Sequence, residues 1–358
     1  MGAPDGFPAP VPPNRSCPLG FSPPFHFPCG CPGTGALQSL EMAPGRNGFP
    51  FPGASGLRGG GEAPGIPEDA PVTPNPSPSG VPTDPEVQDR GLVFLSLPSD
   101  SSIVVPWLFR TRRQGDLALR DRALWLGRGG GWEALLRDTL QTPVTNSPWR
   151  IIPGGPVRLV VGRDDAVERL LFQEGPRELE VAPGEFLAEW GNPDGSTFRL
   201  HRGTVTFPSG AVEGFVLDLL RLWSEDGEHP GDWMILHSGD GAQLILEERG
   251  PLASPRSPGR FRGWSRVAFQ QQPWPEVEVA WEEVRAFEPA RRDIPVEWRL
   301  TSPGGEVEGT LQTVGSHLAV GAGEGPILPV FAFFQVEGEI RIMGEGFQVE
   351  GLVRHLQW

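Results

Sequence analysis

From Gly91 onward, short apolar segments alternate with turn-forming residues, and this spacing is the feature that most restricts the fold. The segments VFLSLPSDSSIVVPWLF, EFLAEWGNPDGSTFRLH and DWMILHSGDGAQLILEE each contain an apolar run, a Ser/Asp/Gly turn and a second apolar run. The Asp-Gly pairs at 194–195 and 240–241 are preferred in two-residue β-hairpin turns. Helical periodicity is weak and is confined to 131–139 and 281–287. The pattern predicts an all-β fold of antiparallel hairpins with little helix.

One pattern of residues occurs twice in the chain. VEGFV at 212–216 matches VEGLV at 349–353. Two further matches follow the same order at a similar offset, SPWRIIPGGPV with VEWRLTSPGGEV and FLSLPSDSS with WMILHSGDGA. Chance similarity among strands rich in Val, Gly and Glu is the alternative explanation. The repeat predicts one β-unit used twice, each unit closed by its VEG strand and long enough for an up-and-down barrel of about eight strands.

The beginning of the chain differs in composition from the rest. Residues 1–88 are rich in Pro, Gly and Ser, and such a segment cannot bury enough apolar surface to offset the entropy lost on ordering. We therefore predict a disordered tail over 1–88, a first barrel over 89–223 and a second barrel over 224–358.

The three cysteines all lie in the predicted tail, so the folded part is expected to contain no disulfide framework and no thiolate chemistry. Cys17, His26, Cys29 and Cys31 are either a zinc ligand set or an incidental cluster. Their spacing does not match a familiar zinc motif closely, which favours the incidental cluster. We therefore expect neither a metal nor a cofactor.

The charge balance and the missing residue types exclude several functions. The chain contains neither lysine nor tyrosine, so it has no Schiff-base lysine, no P-loop lysine and no tyrosine acid. The net charge of −15 argues against a nucleic-acid or anionic-membrane partner, because no basic surface is offered. The Gly-rich segment at 127–132 lacks the spaced glycines of a dinucleotide fingerprint and is expected to be a loop. No serine lies in a nucleophile-elbow context, so hydrolase chemistry has no support.

Neither an export signal nor a membrane span is apparent in the sequence. No apolar run approaches the ~18 residues of a membrane helix. The segment MGAPDGFPAPVPPNRSCPLG lacks the charged and then apolar order of a signal peptide. These features slightly favour a cytoplasmic location.

Four segments, taken in order, resemble a known family. They are AVEGFVLDLLRLW, GDWMILHSGDGAQLILEERG, RRDIPVEWRLTSPGG and FQVEGEIRIMGEGFQVEGLVRHLQW. Their order and spacing are similar to those of the AttH/CrtC group, which includes the carotenoid hydratase hydroxyneurosporene synthase. The similarity covers residues 210–358 well and 90–210 loosely. It implies two tandem lipocalin-like antiparallel β-barrels with a site near their junction.

The resemblance also implies where catalytic residues would lie. The Tyr-x-Asp pair of the hydratases falls on Val216 and Asp218, so the aspartate is kept and the tyrosine is replaced. The upstream His-x-Trp motif has no clean match, and its nearest candidates are Trp190 and His201. The implied activity is acid-catalysed hydration or cyclisation of a C=C bond in an isoprenoid-type molecule.

Asp218 is the candidate catalytic acid. Strand parity places it on the same face as Val212, Gly214 and Val216. A carboxylic acid buried there without a charged partner would have a raised pKa and could protonate an alkene, and water would then capture the cation. In the alternative interpretation, which we favour, Asp218 pairs with an arginine such as Arg221 or caps the turn into the second unit.

Aromatic residues near this strand suggest a ligand site. The candidate lining residues are Trp190, His201, Val216, Trp223 and Trp233. The twelve tryptophans could equally form barrel core. The competing functional hypothesis is therefore a non-catalytic binder of an apolar isoprenoid or lipid, or a structural module that has lost its catalytic residues.

Two expectations concern the ends of the repeated strands. His355 occupies the repeat position of Asp218, and a lone histidine at a strand end is expected at the surface. The first closing strand carries more apolar residues than one barrel interior can use, namely Phe215, Leu217, Leu219, Leu220, Leu222 and Trp223. We predict that this surplus is buried between the barrels, with Trp223 as a main anchor.

Overall fold

The computed structural model describes residues 87–98, 102–114, 116–143, 151–152, 155–162, 165–192, 195–223, 231–249, 254, 257–321, 323 and 325–357. Its described residues form strands and turns and contain no helix. A helix able to cross a membrane is accordingly not found in this part of the chain. The cysteine cluster considered above and the predicted tail up to residue 86 lie outside the described residues.

Ten strands form the first sheet. They are β1 (Val87–Ser96), β2 (Ile103–Gln114), β3 (Leu117–Arg128), β4 (Gly131–Pro143), β5 (Ile151–Ile152), β6 (Val157–Val161), β7 (Val167–Glu174), β8 (Arg177–Gly191), β9 (Thr197–Phe207) and β10 (Gly210–Trp223). Their order in the sheet is β4-β3-β2-β1-β10-β9-β8-β7-β6-β5. All pairs are antiparallel, and β4 and β5 are the two edges of a nearly closed barrel.

Eight strands form the second sheet, which is a closed antiparallel barrel. They are β11 (Trp233–His237), β12 (Ala242–Arg249), β13 (Gly259–Val267), β14 (Gln270–Phe287), β15 (Arg292–Thr301), β16 (Val307–Val320), β17 (Val330–Ile342) and β18 (Glu345–Gln357). The all-β, two-barrel prediction is therefore confirmed.

The hairpins predicted from turn chemistry are present. Strand β1 pairs with β2, β8 with β9 and β11 with β12. The Gly-rich segment expected to be a loop contains the tight turn between β3 and β4, where Gly129 and Gly130 both have positive φ angles of 54° and 80°. Positive φ at both central positions of a two-residue hairpin matches the right-handed twist of the flanking strands.

The repeated VEG motif closes each barrel, as its position in the sequence predicts. Strand β10 pairs with β1, and β18 pairs with β11. A Cβ atom at Gly214 would overlap the carbonyl oxygen of Leu95, and one at Gly351 would overlap that of Ile235. The glycine of each copy therefore lets the last strand approach the first strand closely, which gives the repeat a physical reason.

The two weak helical predictions are wrong. Residues 131–139 lie in β4 and residues 281–287 lie in β14. In β4 a register shift places Leu124 opposite Leu136 and Trp125 opposite Ala134, so Leu135 is an extra residue. Strand β14 has similar shifts between Trp281 and Val284. Such β-bulges break the alternation of apolar and polar residues, and the broken alternation imitates helical spacing.

A continuous apolar core joins the two barrels, and we call it the inter-sheet core. Its buried members include Val93, Leu95, Phe215, Leu217 and Leu219 from the first sheet and Trp233, Ile235, Ile245, Trp264, Phe333 and Leu352 from the second. The prediction that surplus apolar residues of β10 lie between the barrels is thus confirmed for Phe215, Leu217 and Leu219.

The remaining apolar residues of β10 contribute less to this contact. Leu220 and Leu222 are only half-buried. The backbone of Trp223 pairs with Val87, but its side chain lies outside what the structure describes, so its role as an anchor stays a prediction.

Candidate functional site

A cavity of about 350 Å³ lies between the two sheets. Its apolar lining includes Leu108, Phe109, Ala123, Trp125 and Leu219 from the first sheet and Trp233, Ala319, Val330, Phe331 and Leu356 from the second. Its charged lining consists of Asp89, Arg90, Arg110, Asp121, Arg122, Arg137, Asp138, Arg221 and Arg354. The cavity therefore combines an aromatic surface with an unusual concentration of arginine.

Two bidentate ion pairs form part of the charged lining. Arg110 on β2 donates from Nε and Nη2 to the two carboxylate oxygens of Asp89, at 2.6 and 2.8 Å. Arg122 on β3 donates from Nε to Asp138 at 2.8 Å and from Nη2 to its second oxygen. Burial alone would raise the pKa of Asp89, but the hydrogen bond and charge of Arg110 more than offset it, so that pKa lies below its usual value.

Arg221 and Arg354 reach the cavity from the two closing strands. Arg221 on β10 donates from Nε to Glu247 at 2.8 Å. Arg354 on β18 is only 3% exposed, and its Nη1 donates a 3.3 Å hydrogen bond to the carbonyl oxygen of Gly231. Burial and the neighbouring charge of Arg221 lower the pKa of Arg354 to about 9. The charge of Arg354 is thus poorly compensated within the described part of the chain.

A cluster of aromatic rings lies at the apolar side of the cavity. Trp125 on β3 lies 5.4 Å from the ring of Phe331 and 5.1 Å from that of Phe333, measured between ring centroids. Trp132 on β4 stacks on Phe333 at 5.8 Å. His317 on β16 lies 5.7 Å from Trp125, and burial together with the charge of Arg137 lowers the pKa of this histidine. Of these rings, Trp125 and Phe331 line the cavity beside the arginines, and their planes are nearly parallel.

Asp218 does not belong to the lining of this cavity but lies inside the first barrel. Its Oδ2 accepts a hydrogen bond from the backbone N–H of Val167 at 2.8 Å, and its Oδ1 is 3.7 Å from Nη2 of Arg90. Arg90 also donates to the side chain of Asp165 at 2.9 Å and to its backbone oxygen. Asp218 therefore helps to hold the turn before β7.

Burial raises the pKa of Asp218, and the charge of Arg90 and the Val167 hydrogen bond oppose this rise. The prediction that strand parity puts Asp218 on the face of Val216 is confirmed, because Val216 packs in the core of the first barrel. The suggested partner Arg221 was wrong, since Arg221 faces the other side of the strand and pairs with Glu247. Arg90, from the neighbouring strand, takes that place.

Comparison with known proteins rests on structure, because no family model and no curated protein sequence matches the chain. A solved protein from Nitrosomonas europaea, described as an AttH, superposes with a TM-score of 0.51 at 13% identity, covering 80% of this chain and 99% of that one. The chain has the two-barrel, lipocalin-like fold of the AttH protein.

Two further solved proteins superpose on this AttH-like chain with lower TM-scores. Kievitone hydratase from Nectria haematococca superposes with a TM-score of 0.45 at 13% identity, over 76% of this chain and 88% of the hydratase. CghA in complex with Sch210972 superposes with a TM-score of 0.49 at 12% identity, over 76% of this chain and 89% of CghA.

The AttH-like fold distributes the candidate lining residues over three places. Trp233 lines the cavity and packs in the inter-sheet core. Trp190 lies in the inter-sheet core with its ring 5.7 Å from that of Trp264. His201 lies opposite Val216 in the first barrel, and burial lowers its pKa. The Trp223 side chain is outside the described residues, so Trp233 is the one described candidate that lines the cavity.

His355 is buried, so the expectation that it lies at the surface was wrong. Its Nδ1 lies 2.6 Å from Oδ2 of Asp232, whose Oδ1 accepts a hydrogen bond from the backbone N–H of Leu356. The ring also meets Trp281 edge-on at 5.3 Å in the interior of the second barrel. The charged partner that makes this burial tolerable comes from a residue 123 positions earlier, which the local sequence does not reveal.

No group of three or more metal-binding side chains is present among the described residues. The residues that sequence reasoning missed are Trp125, His317 and the arginines that line the cavity. Most of these arginines neighbour an apolar residue in the sequence, as exposed strand positions often do, so the local sequence does not single them out. All of them except Arg354 lie on the first sheet, and the packing of the second sheet against it adds Arg354 and encloses the cavity.

Proposed function

We propose that the protein binds a small, largely apolar molecule of isoprenoid or lipid type in the cavity between its two sheets. The observation that carries this proposal is the cavity itself. Its volume of about 350 Å³ falls within the range of about 300–1,000 Å³ that is usual for ligand pockets. Protein interiors are otherwise close-packed, with few voids larger than a water molecule, so a space of this size is more than a packing defect.

The lining supports an amphipathic rather than a purely hydrocarbon ligand. Trp125, Trp233 and Phe331 offer ring faces and edges to an apolar body. The paired arginines and aspartates keep part of the wall polar, and polar groups at a few fixed positions usually orient a ligand. Tryptophan fluorescence should report on occupancy because two of these residues are indoles.

A titration with decan-1-ol tests this proposal. We expect the alcohol to change the tryptophan fluorescence of the wild-type protein, in intensity or wavelength, in a saturable manner. Ala319→Phe should weaken binding at least tenfold, because the added ring takes up cavity volume that the ligand needs. Ala211→Phe adds the same ring at an exposed position of β10 and serves as the matched control. An unresponsive wild type, or equal binding by both variants, would contradict the proposal.

A second candidate function is acid-catalysed hydration or cyclisation of a C=C bond at Asp218. It is favoured by the raised pKa of this buried carboxyl group and by the resemblance of residues 210–358 to the carotenoid hydratases. The neutral acid would give its proton to one alkene carbon, and water would bond to the other carbon. The water would then return a proton to the Asp218 carboxylate, which restores the acid.

The position of Asp218 makes this second function more demanding than binding. Arg90 lines the cavity and also lies 3.7 Å from Asp218, so it stands between the ligand space and the acid. A substrate would have to displace this guanidinium or enter the first barrel from another side. Binding in the cavity needs no such rearrangement and is therefore the first proposal.

Incubation with an acyclic carotenoid or a prenyl-quinol tests the enzymatic candidate. We expect a hydrated or cyclised product from the wild type and none from Asp218→Asn. The asparagine can still accept the Val167 hydrogen bond, so the variant should fold. Asp165→Asn, which alters the other acidic partner of Arg90, is the matched control and should retain turnover. If wild type and Asp218→Asn are equally inert, the enzymatic candidate should be abandoned.

A further inference from the structure

We propose that the molecule bound in the cavity carries a carboxylate and that the guanidinium group of Arg354 binds it. This inference rests on the proposed binding function and adds the chemical class of the ligand. Arg354 is placed on the closing strand of the second barrel and lines the cavity. Its neighbours across the sheet are Trp233 on β11 and Phe333 on β17.

The first argument is the charge balance of the buried arginines. Arg90, Arg122, Arg221 and Arg354 are buried, and all of them line the cavity. The first three have carboxylate partners, which are Asp165 and Asp218, Asp138, and Glu247. Arg354 alone among these four has no ion pair within the described part of the chain, and its Nε is buried without an acceptor.

The nearby carboxylates of Asp89 and Asp232 are held by other partners, and neither forms an ion pair with Arg354. Both oxygens of Asp89 accept hydrogen bonds from Arg110. The oxygens of Asp232 contact Nδ1 of His355 and the backbone N–H of Leu356. Asp89 and Asp232 attract the guanidinium of Arg354 from a distance, whereas Arg221 and Arg110 repel it.

Burial of an uncompensated charge is unfavourable, and buried charges in proteins are normally paired with an opposite charge. A guanidinium group that lines a cavity and retains unused N–H donors is therefore prepared for an anion that enters the cavity. The planar fork of the arginine matches the two oxygens of a carboxylate. Arg354 is the one unpaired cation among the four buried arginines of the described residues, and a monoanion such as a carboxylate balances its charge.

The remaining lining describes the rest of the ligand. Trp233 lies directly beside Arg354, and Trp125 and Phe331 continue the apolar surface. A ligand whose carboxylate meets Arg354 would therefore place an apolar chain or ring system against these side chains. Medium-chain fatty acids and isoprenoid acids have this form, and decanoate is a simple probe of the class.

Calorimetric titration of the full chain with decanoate and with decan-1-ol tests the inference, because the two probes share an apolar chain and differ in charge. We expect the wild type to bind decanoate at least tenfold more tightly than decan-1-ol. Arg354→Met should weaken decanoate binding at least tenfold and change decan-1-ol binding less than twofold. Arg354→Lys should recover part of the preference for decanoate. Arg341→Gln removes an exposed arginine on the neighbouring strand β17 and should behave as the wild type.

The outcomes separate this inference from the proposed function. Equal binding of both probes by the wild type would overturn the role of Arg354 while the cavity remains a binding site. Binding of neither probe would overturn both proposals. If Arg354→Met lost both probes equally, Arg354 would act on the shape of the cavity and the carboxylate assignment would be wrong. The melting temperature of Arg354→Met should not fall below that of the wild type, because the substitution removes a buried charge without a partner.

Discussion

Replacement of Glu247 with glutamine is expected to lower the free energy of unfolding by about 3–5 kcal/mol, the usual cost of breaking a buried ion pair. Glu247 lies on β12 and is 1% exposed. Its carboxylate accepts hydrogen bonds from Arg221 at 2.8 Å and from Arg249 at 2.7 Å. It also accepts one from Asn192 at 3.2 Å. Arg221 lies on β10 of the first sheet, Asn192 directly follows β8, and Arg249 lies on β12, so this one carboxylate binds groups from both parts of the molecule.

Urea unfolding followed by circular dichroism measures this effect. Glutamine has nearly the shape of glutamate, so the change isolates the loss of charge opposite the buried guanidinium of Arg221. Glu278→Gln alters an exposed glutamate on β14 and should change the free energy of unfolding by no more than about 0.5 kcal/mol. If Glu247→Gln were as stable as Glu278→Gln, the ion-pair network would not hold the barrels together.

Replacement of Phe215 with alanine should cost about 3–5 kcal/mol, as for other large side chains removed from a core. Phe215 is 1% exposed and belongs to the inter-sheet core. Its ring lies 5.1 Å from that of His237 on the second barrel and 4.9 Å from the guanidinium carbon of Arg202. The cavity left by its removal would be lined by residues of both sheets, so both should lose stability together.

Differential scanning calorimetry distinguishes a shared core from two independent barrels. We expect one main transition in the wild type and the same single transition at a lower temperature in Phe215→Ala. Phe269→Ala removes a ring that is 91% exposed and should leave the transition nearly unchanged. Two separated transitions, of which only one moves in Phe215→Ala, would show that the barrels unfold independently.

The sequence predicts the strands and the closure of each barrel because both depend on local or repeated patterns. Alternating apolar residues and Asp-Gly turns specify hairpins within a few residues. The glycine in each VEG motif allows the last strand of a barrel to approach the first strand closely. Both barrels have this requirement, so both end in the same motif. Bulges are harder to predict, because the extra residue Leu135 changes the alternation without any special residue type.

The cavity could not be predicted in the same way, because one wall comes from β1 to β4 and β10 and the other comes from strands of the second sheet, far away in the chain. Arg354 follows Val353 and precedes His355, where alternation alone does not reveal whether its side chain meets solvent or another sheet. Asp218 was easier to identify because a family motif falls on it, yet its neighbours Val167 and Arg90 favour a role in holding a turn. The role of a buried charged residue therefore depends on partners from other strands, which its local sequence does not show.

A crystal structure of the protein with 10-bromodecanoate would test the central claim most directly, because the anomalous signal of bromine locates the ligand. The account predicts a bromine peak in the cavity between the sheets, near Trp125 and Phe331, with the carboxylate in contact with Arg354. A bromine peak inside the first barrel beside Asp218, or a fully occupied ligand on the outer surface with an empty cavity, would contradict it.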